Sequence, residues 1–154
     1  MNIGYFEKDA NDISMIENLW NKLNSLHSGL SPFFPDEYRN KAFNERKNEL
    51  LEKAGNGILK IFIAMNMDNG NMAGYCVCSI NDSIGEIDSI FIEEEYRGYK
   101  IGDEFMKKSD EFFSLNLVKK QVLSVYAGNE NVIRFYNKHD YYQKYIILEK
   151  KRSD

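Results

Sequence analysis

Between Ile87 and Phe105 the chain reads IDSIFIEEEYRGYKIGDEF: an apolar stretch, a run of glutamates, Arg97-Gly98, and then Gly102 at the start of a patterned amphipathic segment. A glycine-bearing turn between a strand and a helix presents several backbone N–H groups at the helix start. Amides without partners, together with the helix dipole, favour an anion there. Arg97 and Lys100 add positive charge beside that turn, which makes phosphate the natural guest. Glu93, Glu94 and Glu95 would repel a bound diphosphate and are expected to point away or sit at the rim. A glycine before a helix is also a common plain turn, and on this stretch alone both readings stand. The segment is neither a Walker A loop, since G-x-x-x-x-G-K-[ST] is missing, nor a Rossmann fingerprint, since G-x-G-x-x-G is missing.

The elements around this loop can be read from periodicity. Ile3 to Glu7 suits a first strand. From about Asn11 the residues Ile13, Ile16, Leu19, Trp20, Leu23 and Leu26 recur at helical spacing up to Gly29 and Pro32. A second helix is predicted from about Asp36 to Ala54, with Phe43, Leu50 and Leu51 facing inward and Gly55-Asn56-Gly57 stopping it. LKIFIAM and NMAGYCVCSI flank Asp68-Asn69-Gly70, a hairpin signal because Asn and Gly tolerate positive φ. A third antiparallel strand follows over about Ile84 to Ile92, then a helix from Ile101 to about Asn116. QVLSVYA reads as a strand, Asn131 to Lys138 as a helix, and YYQKYIILE as the closing strand. The resulting class is α+β, a mixed and mostly antiparallel sheet flanked by helices on both faces.

Composition bounds the function. The 154 residues are 43% hydrophobic, enough for one domain with a core, and no repeat, linker or low-complexity tract divides residues 1–154. A net charge of -4 and a pI near 5.3 give no basic footprint, so nucleic acid is not an expected partner. The polar N-terminus and the lack of a long apolar run predict a cytoplasmic protein with no membrane partner. Cys76 and Cys78 lie two apart in a strand-like run, where alternation aims both at one face. Without His or Cys partners nearby they read as buried thiols, and no metal is expected.

The segment GEIDSIFIEEEYRGYKIGDEFM resembles motif A of the GNAT superfamily of acyl-CoA-dependent N-acetyltransferases, whose loop reads R/Q-x-x-G-x-G/A. Here the loop is Arg97, Gly98, Tyr99, Lys100, Ile101, Gly102, with Lys100 where a middle glycine is usual. A second stretch, NENVIRFYNKHDY, is similar to the family's N-x-x-A-x-x-L-Y-x-K-x-G-F, placing Asn129, Tyr136 and Lys138 on matching positions, with Asp140 and Tyr141 in place of Gly-Phe. Both motifs fall in the family's order of elements.

The resemblance implies direct transfer of an acetyl group from acetyl-CoA, as cosubstrate, to a primary amine. It places the cofactor on the loop from Arg97 to Gly102, on Asn129, and on the backbone of Ile90, Phe91 and Ile92, which would pair with pantetheine and polarise the thioester. An amine is protonated at neutral pH, so a base must take a proton, and the departing thiolate gains from one returned. Tyr136 matches the family's acid, against the plain reading of a packed aromatic. Asn129 can equally be a turn or helix-capping residue. For the base, Glu86 lies at the spacing used by the histone acetyltransferase branch. Asp88 is two residues on, where alternation aims both carboxylates at one face, and a partly buried pair would raise one pKa. Two solvated acids, or a water chain as base, are the alternatives.

In this family the first helices shape the acceptor side. His27, Phe33, Phe34, Asp36, Glu37 and Tyr38 are therefore candidates to meet a small-molecule or peptide amine through aromatic and acidic contacts, and Asp88 is a further substrate candidate. A homodimer, common in the family, is expected. The competing readings are a non-catalytic acyl-CoA-binding sensor on the same fold and a phosphate-ligand module unrelated to CoA.

Overall fold

The computed structural model describes residues 1–152. Its centre is a five-stranded sheet in the order β1-β2-β3-β4-β5. The strands are β1 (Ile3–Lys8), β2 (Ile58–Asn66), β3 (Met72–Asn81), β4 (Ile84–Ile92) and β5 (Lys120–Leu123). The first four pair antiparallel, β2 to β3 and β3 to β4 through short turns and β1 to β2 across the helical segment between them, and β5 joins β4 in parallel after a crossover helix.

β2 and β3 are apolar on alternate and opposing faces because both faces of the sheet are covered. On one side α4 (Ile101–Leu115) lays Ile101, Phe105, Met106, Phe112 and Phe113 against Phe62, Ala64, Cys76 and Cys78. On the other, a 3-10 turn (Ala10–Ile16), α1 (Glu17–Leu30) and α3 (Phe43–Asn56) place Ile13, Ile16, Trp20, Phe43 and Leu50 over Ile61, Ile63, Tyr75 and Val77. Cys76 and Cys78 do share a face, with their sulfurs 3.9 Å apart and buried near Ser109 of α4. No helix among the described residues is long and apolar enough to cross a membrane.

Several elements differ from the sequence reading. The helix expected over residues 36–54 is two: α2 (Pro35–Arg39) and α3, broken at Asn40–Ala42. The break is fixed from outside, because the Asn24 amide of α1 donates to the carbonyls of Tyr38 at 2.6 Å and Lys41 at 3.3 Å. Leu26, expected to face inward, is exposed. The closing strand YYQKYIILE is not a strand, since residues 141–150 carry no regular structure. Strand-forming residues need a neighbouring strand, and among the described residues the backbone of this segment pairs with none. The last helix, α5 (Ile133–Asn137), is also shorter than expected.

Candidate active site

The cleft begins where β4 and β5 part. They are paired only from Ile84 to Ile87 against Lys120 to Leu123, after which β4 runs on to Ile92 with β3 on one side and open space on the other. A β-bulge starts the divergence: Val77 faces Ser89 and Cys78 faces Ile87, so Asp88 is the extra residue. Its freed carbonyl accepts from Arg46 Nη2 of α3 at 2.8 Å. The resulting cavity of about 1230 Å³ is lined by β4 from Glu86 to Ile92, the loop after it, the segment following β5, and residues of α1, α2 and α5.

The glycine-bearing loop forms the floor at one end. From Gly98 through Asp103 no backbone N–H finds an acceptor among the described residues. Such a run of unpartnered amides at the N-terminus of a long helix is the local condition for an anion site. Gly98 has φ of 88° and Lys100 φ of 62°, both left-handed. Lys100 thus adopts the turn that the middle glycine of the motif would adopt, and no ion pair holds its ammonium among the described residues. A β-branched residue tolerates this conformation poorly, so Lys100→Ile is expected to be about 1–2 kcal/mol less stable than Lys100→Gly. Equal urea midpoints for the two variants would show that the loop does not need the left-handed turn.

Gly102 is required for room. A Cβ there would meet the ring of Phe135 at 3.0 Å and Ile92 at 3.4 Å, because α5 packs on the first turn of α4. His139 reinforces that contact, its Nε2 lying 2.8 Å from the Asp103 carboxylate. Arg97 does not reach over the loop: its Nε donates to the Ile92 carbonyl at 3.1 Å and its guanidinium lies over Phe91. Glu93 is paired with Lys22 of α1, away from the free amides. The Tyr99 side chain is exposed and outside the cleft lining, while Ile101 is buried in the core and offers only its backbone.

α5 brings Tyr136 to the cleft. Its ring packs edge-on to Phe135 at 5.3 Å, and its hydroxyl has no hydrogen-bond partner among the described residues. Burial, with a smaller contribution from Cys76, pushes its pKa up to about 12, so it is a neutral phenol at physiological pH. Asn129 begins the turn before α5 without a side-chain capping bond, and it lines the same cleft.

The two carboxylates of β4 do lie on one side of the sheet, and α3 supplies what joins them. Lys53 Nζ contacts Glu86 Oε1 at 3.1 Å and also pairs with Asp88 Oδ1. The Asp88 side chain is fully buried and its Oδ2 has no partner among the described residues. Burial raises the Asp88 pKa despite the pull of Lys53. Burial alone would lower the Lys53 pKa, but the hydrogen bond and charge of Asp88, with Glu86, carry it upward. Glu86 keeps 34% of its side chain exposed and faces the cleft.

Opposite the loop, His27, Tyr38 and Tyr126 form a mutually packed aromatic trio with centroids 4.9 to 5.5 Å apart. Burial lowers the His27 pKa, leaving it neutral at pH 7. Burial, the Tyr126 phenol and Glu37 push Tyr38 up to about 12. Phe34 is elsewhere: it lines a smaller cavity of about 460 Å³ with residues 149–152, and is not brought to the cleft.

The family model for the acetyltransferase (GNAT) family matches residues 23–141. The chain belongs to the GNAT acetyltransferase family. No curated protein matches the sequence. Among solved structures, a Pyrococcus furiosus protein described as an acetyl transferase is 27% identical, with a TM-score of 0.70 over 96% of this chain and 99% of that one. A Clostridium acetobutylicum protein described as a predicted acetyltransferase and solved with acetyl-CoA is 17% identical, with a TM-score of 0.65 over 97% and 96%. Glucosamine-6-phosphate N-acetyltransferase from Arabidopsis thaliana is 15% identical, with a TM-score of 0.64 over 97% and 98%. The last two establish likeness of fold only.

Arg46 and Tyr126, which line the cleft of this GNAT domain, and Lys53, which pairs with Glu86 and Asp88, were passed over by the sequence reading. Arg46 and Lys53 stand two turns apart on α3, a basic stripe visible in the sequence. What it would face was not, because that depends on which strand α3 crosses. Tyr126 sits in the irregular segment after β5, read above as strand.

Proposed function

We propose that this GNAT domain is an acetyl-CoA-dependent N-acetyltransferase acting by direct transfer to a primary amine in a ternary complex. The observation that carries the reading is the set of unpartnered amides from Gly98 through Asp103 at one end of a cleft that also holds Tyr136. Those amides, with Lys100 beside them, fit a diphosphate. The β4 backbone past Ile87, which has no strand partner on its cleft side, fits an extended amide-containing arm such as pantetheine. Acetyl-CoA supplies an activated acyl group with a thiol leaving group.

The remaining work falls to side chains. Glu86, which keeps contact with the cleft, takes the proton from the acceptor ammonium, directly or through water. Asp88 is held on Lys53 and too buried to meet an acceptor, so it supports the position of Glu86. Tyr136, protonated, donates toward the departing sulfur. His27, Tyr38 and Tyr126 offer π faces, and Glu37 beside Tyr38 a carboxylate, to a cationic amine. The acceptor class is a small-molecule or peptide amine.

Calorimetric titration of the wild type and Gly102→Val with acetyl-CoA, CoA and ATP tests the cofactor site. Saturable binding of acetyl-CoA and CoA by the wild type, weak binding of ATP, and at least about tenfold weaker acetyl-CoA binding by Gly102→Val are expected, since the added side chain drives Phe135 against the loop. No binding to folded wild type would sink the reading. Binding without thiol release for any of a panel of amines would favour a sensor.

A further inference from the structure

Arg46 of α3 carries more hydrogen-bonding capacity than the chain uses. Its side chain is only 17% exposed and lines the cleft beside β4, where Nη2 donates to the Asp88 carbonyl at 2.8 Å. That bond pins one corner of the guanidinium to the bulge. Glu49 stands 3.8 Å from Nη1, beyond hydrogen-bond reach, and is itself held by Lys41 at 3.0 Å. The remaining N–H groups of Arg46 are not sealed in the core, since Asp88 Oδ2 is the one buried side-chain polar atom without a partner among the described residues. They therefore face the cavity.

A guanidinium carries a fixed charge, and its planar fork matches a carboxylate with two parallel bonds. Held at one corner and open elsewhere, Arg46 is a positioned receptor for an anion. The charge next to it has the opposite sign. Glu86 and Asp88 share the ammonium of Lys53, which leaves β4 with surplus negative charge close to where Arg46 is anchored. The rise of a strand sets Glu86 and the Asp88 anchor about 6–7 Å apart. An amine and a carboxylate borne on one carbon, each making a charge-assisted bond, bridge two protein groups up to roughly 8 Å apart. A phosphate dianion suits the place less well, because one guanidinium balances one negative charge and Glu37, Glu86 and Asp88 surround the same cavity. A polyamine or a lysine side chain would leave Arg46 facing a second cation.

We propose, resting on the N-acetyltransferase reading, that the acceptor is a free α-amino acid recognised at both ends. Arg46 takes its carboxylate, Glu86 its ammonium, and the trio of His27, Tyr38 and Tyr126 meets its side chain. The ammonium gives one proton to Glu86, and its nitrogen bonds to the acetyl carbon as the carbon–sulfur bond breaks. The sulfur takes the Tyr136 proton, the second proton lost by nitrogen restores Tyr136, and the products are an N-acetyl amino acid and CoA. A peptide N-terminus carries an amide where the amino acid has its carboxylate, and leaves Arg46 without an anion.

The test is thiol release by the full chain with each common amino acid, its carboxamide and its decarboxylated amine as matched acceptors. For the preferred side chain the wild type is expected to favour the amino acid at least about 100-fold in kcat/KM over both analogues, and Arg46→Met to bring that ratio within about threefold. Calorimetry supplies a readout besides turnover: the CoA-loaded wild type is expected to bind the amino acid, and Arg46→Met to bind it at least about tenfold more weakly while keeping its affinity for acetyl-CoA. The wild-type ratio decides the acceptor class even where Arg46→Met does not fold. Amides, plain amines or peptides turned over as well as amino acids overturn the proposal and leave the transferase reading standing. A preference that survives Arg46→Met overturns Arg46 as the receptor. Thiol release with none of the acceptors sinks the transferase reading and the proposal together.

Discussion

Tyr136→Phe is expected to lower the rate of acetyl transfer by about 100-fold or more while leaving acetyl-CoA affinity unchanged. Phenylalanine keeps the ring, its edge-on contact with Phe135 and its place at the border of the α4-side core. Only the hydroxyl is removed, and that hydroxyl has no partner among the described residues. With a pKa pushed up to about 12, it stays protonated throughout the working range of any amine acetyltransferase. A donor held neutral and aimed into a cleft gains most where negative charge appears, which here is the sulfur as the thioester bond breaks. Such an interaction is made in the transition state and not in the ground state, so it should appear in kcat and not in the dissociation constant. Thiol-release kinetics alongside calorimetry check both numbers. An unchanged kcat would leave Tyr136 as a packed aromatic, the plain reading of its sequence.

The parts of the fold that were legible in the sequence are those whose determinants are local. The β2–β3 hairpin is announced by Asp68-Asn69-Gly70, where Gly70 does take positive φ, and α4 by apolar periodicity from Ile101 to Phe113. The loop was legible because its glycines carry geometry. What was not legible depends on distant partners. Asn24 splits α2 from α3, and nothing in residues 36–54 announces that break. The bulge at Asp88 changes which neighbours Glu86 and Ser89 meet, and Lys53 answers both carboxylates from a helix that precedes them by a whole hairpin. Tyr142 to Leu148 have strand composition, and composition cannot supply a neighbouring strand.

Lys53→Met is expected to cost about 2–3 kcal/mol of stability at pH 7, somewhat below the roughly 3–5 kcal/mol for breaking a fully buried ion pair because Lys53 itself is partly exposed. The loss comes from what it leaves behind. Asp88 is fully buried, its Oδ2 already lacks a partner among the described residues, and the desolvation of its charge is offset chiefly by Lys53, with a smaller contribution from Ser79. The sign of the pH dependence follows. Burial raises the Asp88 pKa in the folded state above its unfolded value, so the folded chain holds this proton more tightly. Its contribution to stability is fully present below the unfolded pKa, near 4, and is lost as pH rises through the folded pKa. Removing Lys53 removes the main influence that lowers that folded pKa, so the loss reaches further up the pH scale. Urea unfolding from pH 4 to pH 8 should therefore show wild type and variant closest at the acid end and diverging as pH rises. Adding Asp88→Asn to Lys53→Met should recover most of the difference at pH 7 and flatten the profile, since an amide of the same shape carries no charge to desolvate. A constant gap across the pH series would mean that Lys53 acts through packing of its stem, and Asp88 would then have no claim to hold Glu86 in place by charge.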